Sequence, residues 1–257
     1  MSESYETQAK GMRILPGQWR PHYPFEQIAW ISPSWPSQDY LWLDFPEAIF
    51  TNQGLIFLSH INPRVPSLYT DLPAVVWRRE PDGIAFERTL PNGARFGGRV
   101  AKENDTTVAM SLYLENGTGK PLTAITLQTC LFLRACSEFA DYTMDNKLVH
   151  VPRRGWLPFA QARQETEERG LFHLGWRSGP TVSDRPVMIT LSNKAQRLVA
   201  MTWHSHTLSL IGNPNHPCMH ADPCFPDLEV GRKATIQGHL YFFEGSPQAF
   251  LEAHPEA

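Results

Sequence analysis

Alternating apolar and polar residues, the period of a β-strand, dominate this chain. The clearest case is 107–115, in which a valine, a methionine and two leucines occupy every second position. Such alternation predicts an antiparallel strand with one buried face. Turn sequences such as Pro81-Asp82-Gly83 and Pro91-Asn92-Gly93 separate similar runs and predict a meander of hairpins. Further strands are expected at 55–60, 74–77, 84–90, 95–101, 122–133, 186–192, 197–203, 207–211 and 234–243.

A helical pattern occurs in one window, residues 156–170, which ends at Gly170. With ten or more strands against one short helix, the spacing predicts an all-β fold, a large antiparallel β-sandwich. The proline- and tryptophan-rich stretch 21–50 is expected to wrap over a sheet. Residues 1–20 are expected to form a loose arm, and residues 21–257 a single β-sandwich domain, because all-β domains often reach this length.

Composition and charge indicate a folded protein and argue against several functions. The 257 residues are 42% hydrophobic and 11% aromatic, unlike a disordered chain. The net charge of −3 offers no basic surface to nucleic acid. We find no run of signal-peptide or membrane-spanning length, so a cytoplasmic protein without a membrane partner is expected. In that compartment the four cysteines (Cys130, Cys136, Cys218 and Cys224) are predicted to be reduced.

The stretch 201–245 concentrates the residues that can carry chemistry. It holds five of the ten histidines, two cysteines and four prolines. Proline interrupts strands, and imidazoles resist burial, so we predict that this stretch forms the floor of a functional site. His220 and Asp222 share a face if their segment is extended, and a carboxylate beside an imidazole raises its pKa and orients it for proton transfer. The alternative is a histidine that only bonds backbone carbonyls.

The same stretch contains the pair His204 and His206, which follows a predicted strand. On an extended backbone both imidazoles project from one face. Together with His220, or with His216, they offer three nitrogens to zinc, iron or manganese. A divalent metal is therefore allowed by the sequence, although no cofactor is firmly indicated. The alternative is an exposed strand edge that carries two histidines without a ligand.

Other candidates lie at strand ends and among the aromatic residues. His60 and Arg64 follow the predicted strand at 55–60, where side chains can face a cleft. Gln128 is a polar residue in the middle of a predicted strand, and we expect it to point into the pocket. Indole rings stack on the C–H faces of sugars, whose hydroxyls bond polar side chains. The aromatic candidates for this role are Trp42, Trp77, Trp203 and Tyr69.

Residues 218–245, CMHADPCFPDLEVGRKATIQGHLYFFEG, resemble the C-terminal signature of galactose mutarotase-like (aldose 1-epimerase-like) proteins. In that family a catalytic Glu stands two residues after a Cys, ahead of Phe-Pro-Asp and a final strand. Cys218 and Phe225-Pro226-Asp227 match, whereas His220 takes the place of the Glu and Val230-Gly231-Arg232 replaces the usual turn. The resemblance implies a sugar-shaped cleft on a two-sheet sandwich, with His60 or His204 standing in for the family's acid histidine. The missing Glu puts mutarotation itself in doubt.

Three functions are consistent with these patterns, and each has a small sugar or an oligosaccharide as its ligand. The first is a proton-transfer enzyme, an epimerase, isomerase or lyase acting on a carbohydrate or sugar acid, with His220, Asp222 and His60 as catalytic residues. The second is a metal-dependent enzyme that uses His204 and His206. The third is a carbohydrate-binding module without chemistry. The residues expected to bind substrate are Arg64, Gln128, Trp203, His204, His206 and Trp77.

Overall fold

Two antiparallel sheets build the protein, as the strand pattern predicts. This computed structural model describes residues 11–20, 26–60, 67–143, 145–164, 173–175, 183–213 and 217–257. Arg64 and His216, both candidates from the sequence, lie outside the described residues. Within the described ranges no helix is long and apolar enough to cross a membrane.

The first sheet, sheet A, has eight strands in the described part of the chain. Their spatial order is β1 (Ile14–Gly17), β2 (Ile28–Ile31), β3 (Leu41–Thr51), β9 (Thr126–Phe132), β16 (Cys218–Pro223), β15 (Thr207–Gly212) and β12 (His173–Gly175), and β4 (Gly54–Leu58) pairs with β3. Every strand pair in it is antiparallel. The middle of sheet A thus joins segments that lie far apart in sequence.

The second sheet, sheet B, has nine strands in the same described ranges. Their order is β11 (Gly155–Pro158), β10 (Lys147–Val151), β13 (Val187–Leu191), β14 (Arg197–Thr202), β17 (Lys233–Glu244), β8 (Thr107–Glu115), β7 (Arg95–Lys102), β6 (Gly83–Thr89) and β5 (Arg78–Arg79). The run from β6 to β8 is the predicted meander, joined by antiparallel hairpins.

The core lies between the two sheets and follows the strand period. Met110 and Leu112 of β8 are buried in it, together with Leu131 of β9 and Met219 of β16. Because side chains alternate along a strand, the residues between these face away from the core. On sheet A, the face that points away from the core carries Gln128, His220 and Asp222, and we call it the outer face.

The stretch 21–50 differs from its prediction. Instead of wrapping over a sheet, its described part supplies β2 and the eleven-residue β3, an interior strand of sheet A. Pro46 occurs where the pairing register of β3 with β9 shifts between Asp44 and Ala48. A strand tolerates proline at such an irregularity because no ladder hydrogen bond is required there. The proline content therefore hid a strand.

The helices and the N-terminal segment also differ from the predictions. Helix α1 spans Phe159–Gln164 and begins later than predicted, because residues 155–158 form strand β11. Residues 165–172 lie outside the described part. A second helix, α2 (Pro247–Ala253), was not predicted, and its N-cap Ser246 accepts a hydrogen bond from the Ala249 N–H. In the expected loose arm, Ile14–Gly17 pair with β2 as the edge of sheet A.

Candidate functional site

The segment that carries His220 is a strand, not the irregular loop that its prolines suggested. Strand β16 lies between β9 and β15 and pairs with both. Met219 and Ala221 belong to the core, so Cys218 and His220 alternate to the outer face of sheet A. His220 and Asp222 are buried, with 7% and 3% of their surface exposed.

Strand pairing arranges the outer face into rows across β3, β9 and β16. One row is Trp42, Phe132 and Cys218. The next row is Asp44, Cys130 and His220. Directly opposite residues on antiparallel strands have Cβ atoms roughly 4.5–5.5 Å apart. The ladder itself therefore brings together a carboxyl, two thiols and an imidazole from three distant parts of the sequence.

A cavity of about 70 Å³ opens on this face. Its lining residues are Trp19, Arg20, Ile28, Trp42, Asp44, Glu47, His60, Cys130 and Phe132. Strand β3 brings Glu47 to the cavity, and His60 follows β4, which pairs with β3. Glu47 Oε1 lies 3.8 Å from His60 Nδ1. The carbonyl of Glu47 accepts a 2.7 Å hydrogen bond from the Ser59 N–H, which fixes the distance between the two backbones.

The two carboxyl groups of the cavity are electrostatically unusual. Burial raises the pKa of the Asp44 carboxyl well above its usual range, and the nearby Glu47 raises it further. One oxygen, Asp44 Oδ2, accepts a 2.6 Å hydrogen bond from Ser59 Oγ. Burial also raises the pKa of Glu47, against the opposing effect of His220. Raised carboxyl pKa values are typical of groups that hold a proton near neutral pH.

His220 and Asp222 lie beside this cavity and interact with each other. Asp222 Oδ1 is 3.4 Å from His220 Nδ1 and accepts a 2.9 Å hydrogen bond from the Thr129 N–H. Burial by itself lowers the pKa of His220, but the charges of Cys218 and Asp222 outweigh it and hold the pKa well above its usual range. The pairing of His220 with Asp222 that the spacing predicted is therefore present.

Two groups of side chains in this region have the geometry of metal ligands. The ligand atoms of Cys130, Cys218 and His220 all lie within 4.8 Å of one another. The same limit holds for the group formed by Asp44, Glu47 and His60. Each group includes a buried polar atom that has no hydrogen-bond partner in the protein, His220 Nδ1 in the first and Asp44 Oδ1 in the second. A buried polar atom without a partner requires an explanation, and for Asp44 Oδ1 a bound ion is one.

Aromatic rings form one wall of the cavity. Trp19 stacks on Phe132 with ring centroids 4.4 Å apart, and Trp42 stacks on the same ring at 5.8 Å. The Arg20 guanidinium lies 3.8 Å from the centroid of Trp19 and forms an ion pair with Glu26. The wall therefore presents flat apolar rings next to a cation and two carboxyls.

The structure does not bring His204 and His206 to this site. Instead of a strand, these residues form a 3₁₀ turn, and His204 has a φ of 51°. His204 Nε2 lies 2.7 Å from Nδ1 of His239 on sheet B. Among the described residues, the groups with metal-ligand geometry do not combine His204 or His206 with His220. His204, His206 and His220 therefore do not form the predicted metal site, because the strand ends at Thr202, before the two histidines. The alternative third ligand, His216, lies outside the described residues.

The remaining predicted substrate-binding residues have different positions. Trp203 is 0% exposed in the core, where its Nε1 donates to Thr129 Oγ1 at 3.2 Å. Trp77 packs edge-on against Phe86 of β6 and lies away from the cavity lining. Gln128 follows the strand period onto the outer face, two residues before Cys130. Of the candidate tryptophans, Trp42 lines the cavity.

Sequence reasoning missed Asp44 and Glu47. Both belong to LWLDFPEAIF, an apolar run that the prolines led us to assign to a wrapped segment. An acidic residue inside an apolar strand is a useful signal, because a carboxylate is costly to bury without a partner. Trp19 and Arg20 were also missed, since they belong to the segment predicted as a loose arm.

A second cavity, of about 270 Å³, lies near β5 and β6 and is lined by charged residues. Its carboxyls are already paired, because Glu80 and Asp82 each accept hydrogen bonds from Arg99. Those ion pairs lower the pKa values of both carboxyls. The lowered pKa values of these two carboxyls contrast with the raised pKa values of Asp44 and Glu47 in the cavity on sheet A.

Comparisons with known proteins identify similar structures but no family. No family model matches the chain, and no curated protein matches it. A solved GalM/aldose epimerase homologue from C. elegans aligns with a TM-score of 0.48 and 10% identity, over 92% of this chain and 97% of its own. The Slr1438 protein from Synechocystis sp. PCC 6803 aligns with a TM-score of 0.46 and 7% identity, over 95% of this chain and 99% of its own. Galactose 1-epimerase from Lactobacillus acidophilus aligns with a TM-score of 0.41 and 10% identity, over 91% of this chain and 99% of its own.

These alignments extend along nearly the whole chain and are not confined to residues 218–245. With identities of 7–10% and TM-scores below 0.5, they leave the activity of this chain to be argued from its own residues.

Proposed function

We propose that this protein is an acid–base enzyme that acts on a small sugar or sugar acid at the cavity of sheet A, with Glu47 and His60 as the proton-transfer pair. The observation that carries the proposal is the 3.8 Å separation of Glu47 Oε1 and His60 Nδ1 at the cavity. A carboxyl and an imidazole within reach of one substrate atom can donate and accept protons in the same turnover.

The aromatic wall supports a sugar as the substrate. Indole and phenyl rings bind the C–H groups of a pyranose, and the rings of Trp19 and Trp42 line the cavity. Hydroxyl groups need polar partners, which Arg20 and Asp44 offer on the same rim. This combination of flat apolar rings and polar groups suits a carbohydrate better than a purely apolar ligand.

The size of the cavity restricts how the sugar binds. About 70 Å³ accommodates roughly two water-sized groups. One edge of a sugar ring therefore enters, with a carbon and its hydroxyl near Glu47 and His60, while the rest of the ring lies against Trp42. This edge-on arrangement favours proton exchange at a single carbon, as in an epimerase or isomerase.

His220 and Asp222 take a different role in this proposal from the one expected from the sequence. Both are more deeply buried than Glu47 and His60, which keep about 17–18% of their side chains exposed. We therefore assign proton transfer to the two more accessible residues. His220 does not line the cavity, and we assign it as a positioning residue.

The test is proton exchange on a panel of free aldoses and uronates in deuterated water, followed by NMR. We expect exchange at one carbon of at least one sugar, and a loss of about 10²- to 10⁴-fold in Glu47→Gln. His150→Gln is the matched control, because His150 lies on β10 of sheet B and forms an ion pair with Asp184 there, away from the cavity. Full activity of Glu47→Gln would refute the proposal. Sugar binding by a parent protein that catalyses neither exchange at carbon nor interconversion of anomers would instead identify a binding module.

A further inference from the structure

Beneath the acid–base pair, the outer face of sheet A contains a second chemical arrangement. Cys130 of β9 lies opposite His220 of β16, and Cys218 is two residues before His220 on the same face. The two sulfurs and a ring nitrogen lie within 4.8 Å of one another. All three residues are buried, with at most 7% of their surface exposed.

We propose that Cys130, Cys218 and His220 form a binding site for a divalent transition metal ion of the zinc class. Two thiolates and an imidazole are the ligand types that zinc binds in three-ligand sites, whereas calcium and magnesium require oxygen. The charges also fit, because two thiolates balance the charge of one divalent ion. A neutral complex is far cheaper to bury than separate charges.

The orientation of the His220 ring is independent support for this site. His220 Nδ1 is buried and lies 3.4 Å from Asp222 Oδ1 without a hydrogen bond of good geometry. Histidines that ligate metals usually turn their other ring nitrogen towards a carboxylate, which fixes the ring. Asp222 occupies that position, and the Thr129 N–H holds its carboxylate at 2.9 Å. The carboxylate, imidazole and thiols thus have the order of a metal site.

A metal ion has a route into this site. Cys130 lines the cavity, so its sulfur connects the buried group with the cavity mouth. Glu47 lines the same cavity and interacts electrostatically with both Cys218 and His220. A water molecule entering through the cavity would supply the fourth ligand of a tetrahedral ion and keep the complex neutral.

The site goes beyond the proposed function, because it stands whether or not Glu47 and His60 transfer protons. It also replaces the ligand set expected from the sequence. Cys130 and Cys218 replace His204 and His206, since the strand register places Cys130 opposite His220, 90 positions away in the chain (220 minus 130). In the sequence Cys130 is six positions before Cys136 and Cys218 is six positions before Cys224, and neither spacing indicates this arrangement.

The test is metal analysis of the full chain, purified without chelators and then titrated with Zn²⁺ and with Co²⁺. We expect one ion per chain and a sulfur-to-cobalt charge-transfer absorption in the near ultraviolet. Cys130→Ser and Cys218→Ser should both lose this absorption. Asp222→Asn should keep it but weaken binding by about 10- to 100-fold, as expected for a residue that orients a ligand.

Cys136→Ser is the matched control, because Cys136 is fully buried, forms no disulfide and belongs to neither group with metal-ligand geometry. It should bind the ion as the parent does. If the ligand variants fail to fold, as seen by circular dichroism, the parent alone decides: bound Zn²⁺ should protect two thiols from alkylation. Less than a tenth of an ion per chain, an equal loss in Cys136→Ser, or a Cys130–Cys218 disulfide would each overturn the proposal.

Discussion

Glu47 and His60 meet across the hairpin that joins β3 and β4, with Oε1 of the glutamate 3.8 Å from Nδ1 of the histidine. The hydrogen bond from the Ser59 N–H to the Glu47 carbonyl fixes the spacing of the two strands at this point. The relative position of the two groups is therefore set by the backbone ladder and not by flexible loops. A proton-transfer pair requires such rigid support.

If Glu47 and His60 act as one unit in turnover, their substitutions will not be additive. Glu47→Gln and His60→Gln should each reduce sugar proton exchange by about 10²- to 10⁴-fold. The double variant should be little slower than either single one, because residues that act together cannot be lost twice. Rate constants for the parent and the three variants test this. Fully multiplicative losses would show that the two residues act independently.

Two tryptophans should respond in opposite ways to truncation. Trp203→Ala should lower the free energy of unfolding by about 3–5 kcal/mol, because the ring is fully buried and stacks on Phe45. Trp42→Ala should cost less stability but weaken sugar binding, because Trp42 lines the cavity. Urea denaturation and a binding titration measure the two effects. A Trp42→Ala protein that binds sugars normally would contradict the assignment of Trp42 to the sugar-binding wall of the cavity.

The cysteines should differ in reactivity in the folded protein. Cys224 is half-buried, whereas Cys136 is fully buried. Burial also raises the pKa of the Cys136 thiol to about 12, so it stays protonated and unreactive. Alkylation of native protein at pH 8, followed by peptide mass spectrometry, should modify Cys224 well before Cys136. The reverse order would show that the core around Cys136 opens readily.

His239 should make stability depend on pH below neutrality. Burial lowers its pKa, and the neighbouring His204 lowers it further. Since the folded state then binds a proton less readily than the unfolded state, its contribution is complete above about pH 6.5 and is lost as the pH falls below that value. The urea concentration at the unfolding midpoint should fall between pH 7.5 and pH 5.5, and it should fall less in His239→Gln than in the parent. Equal falls would remove His239 as the cause.

The strands could be predicted largely because their signal is local. In β8, Val108 and Met110 alternate with residues on the other face, and that period alone indicates one buried side. The same reasoning failed for β3, where Pro46 suggested a wrapped segment. A single register shift accommodates that proline, and a register shift depends on the partner strand β9, which local sequence does not reveal.

The site was predictable in part. The pairing of His220 with Asp222 follows from their spacing of two on an extended segment, and His60 was expected at a strand end. Asp44, Glu47 and the thiol partners of His220 were not expected, because each depends on which strands become neighbours. His204 and His206 were misplaced, since a 3₁₀ turn begins where a continuing strand was predicted.

The sequence by itself determined an all-β sandwich and the residue types available for chemistry, because strand periodicity and side-chain chemistry are properties of short segments. Only the tertiary structure decided which of those residues meet. Asp44, Cys130 and His220 form one row because β3, β9 and β16 are hydrogen-bonded neighbours in a fixed register. A shift of one residue in that register would turn these side chains into the core and abolish the site.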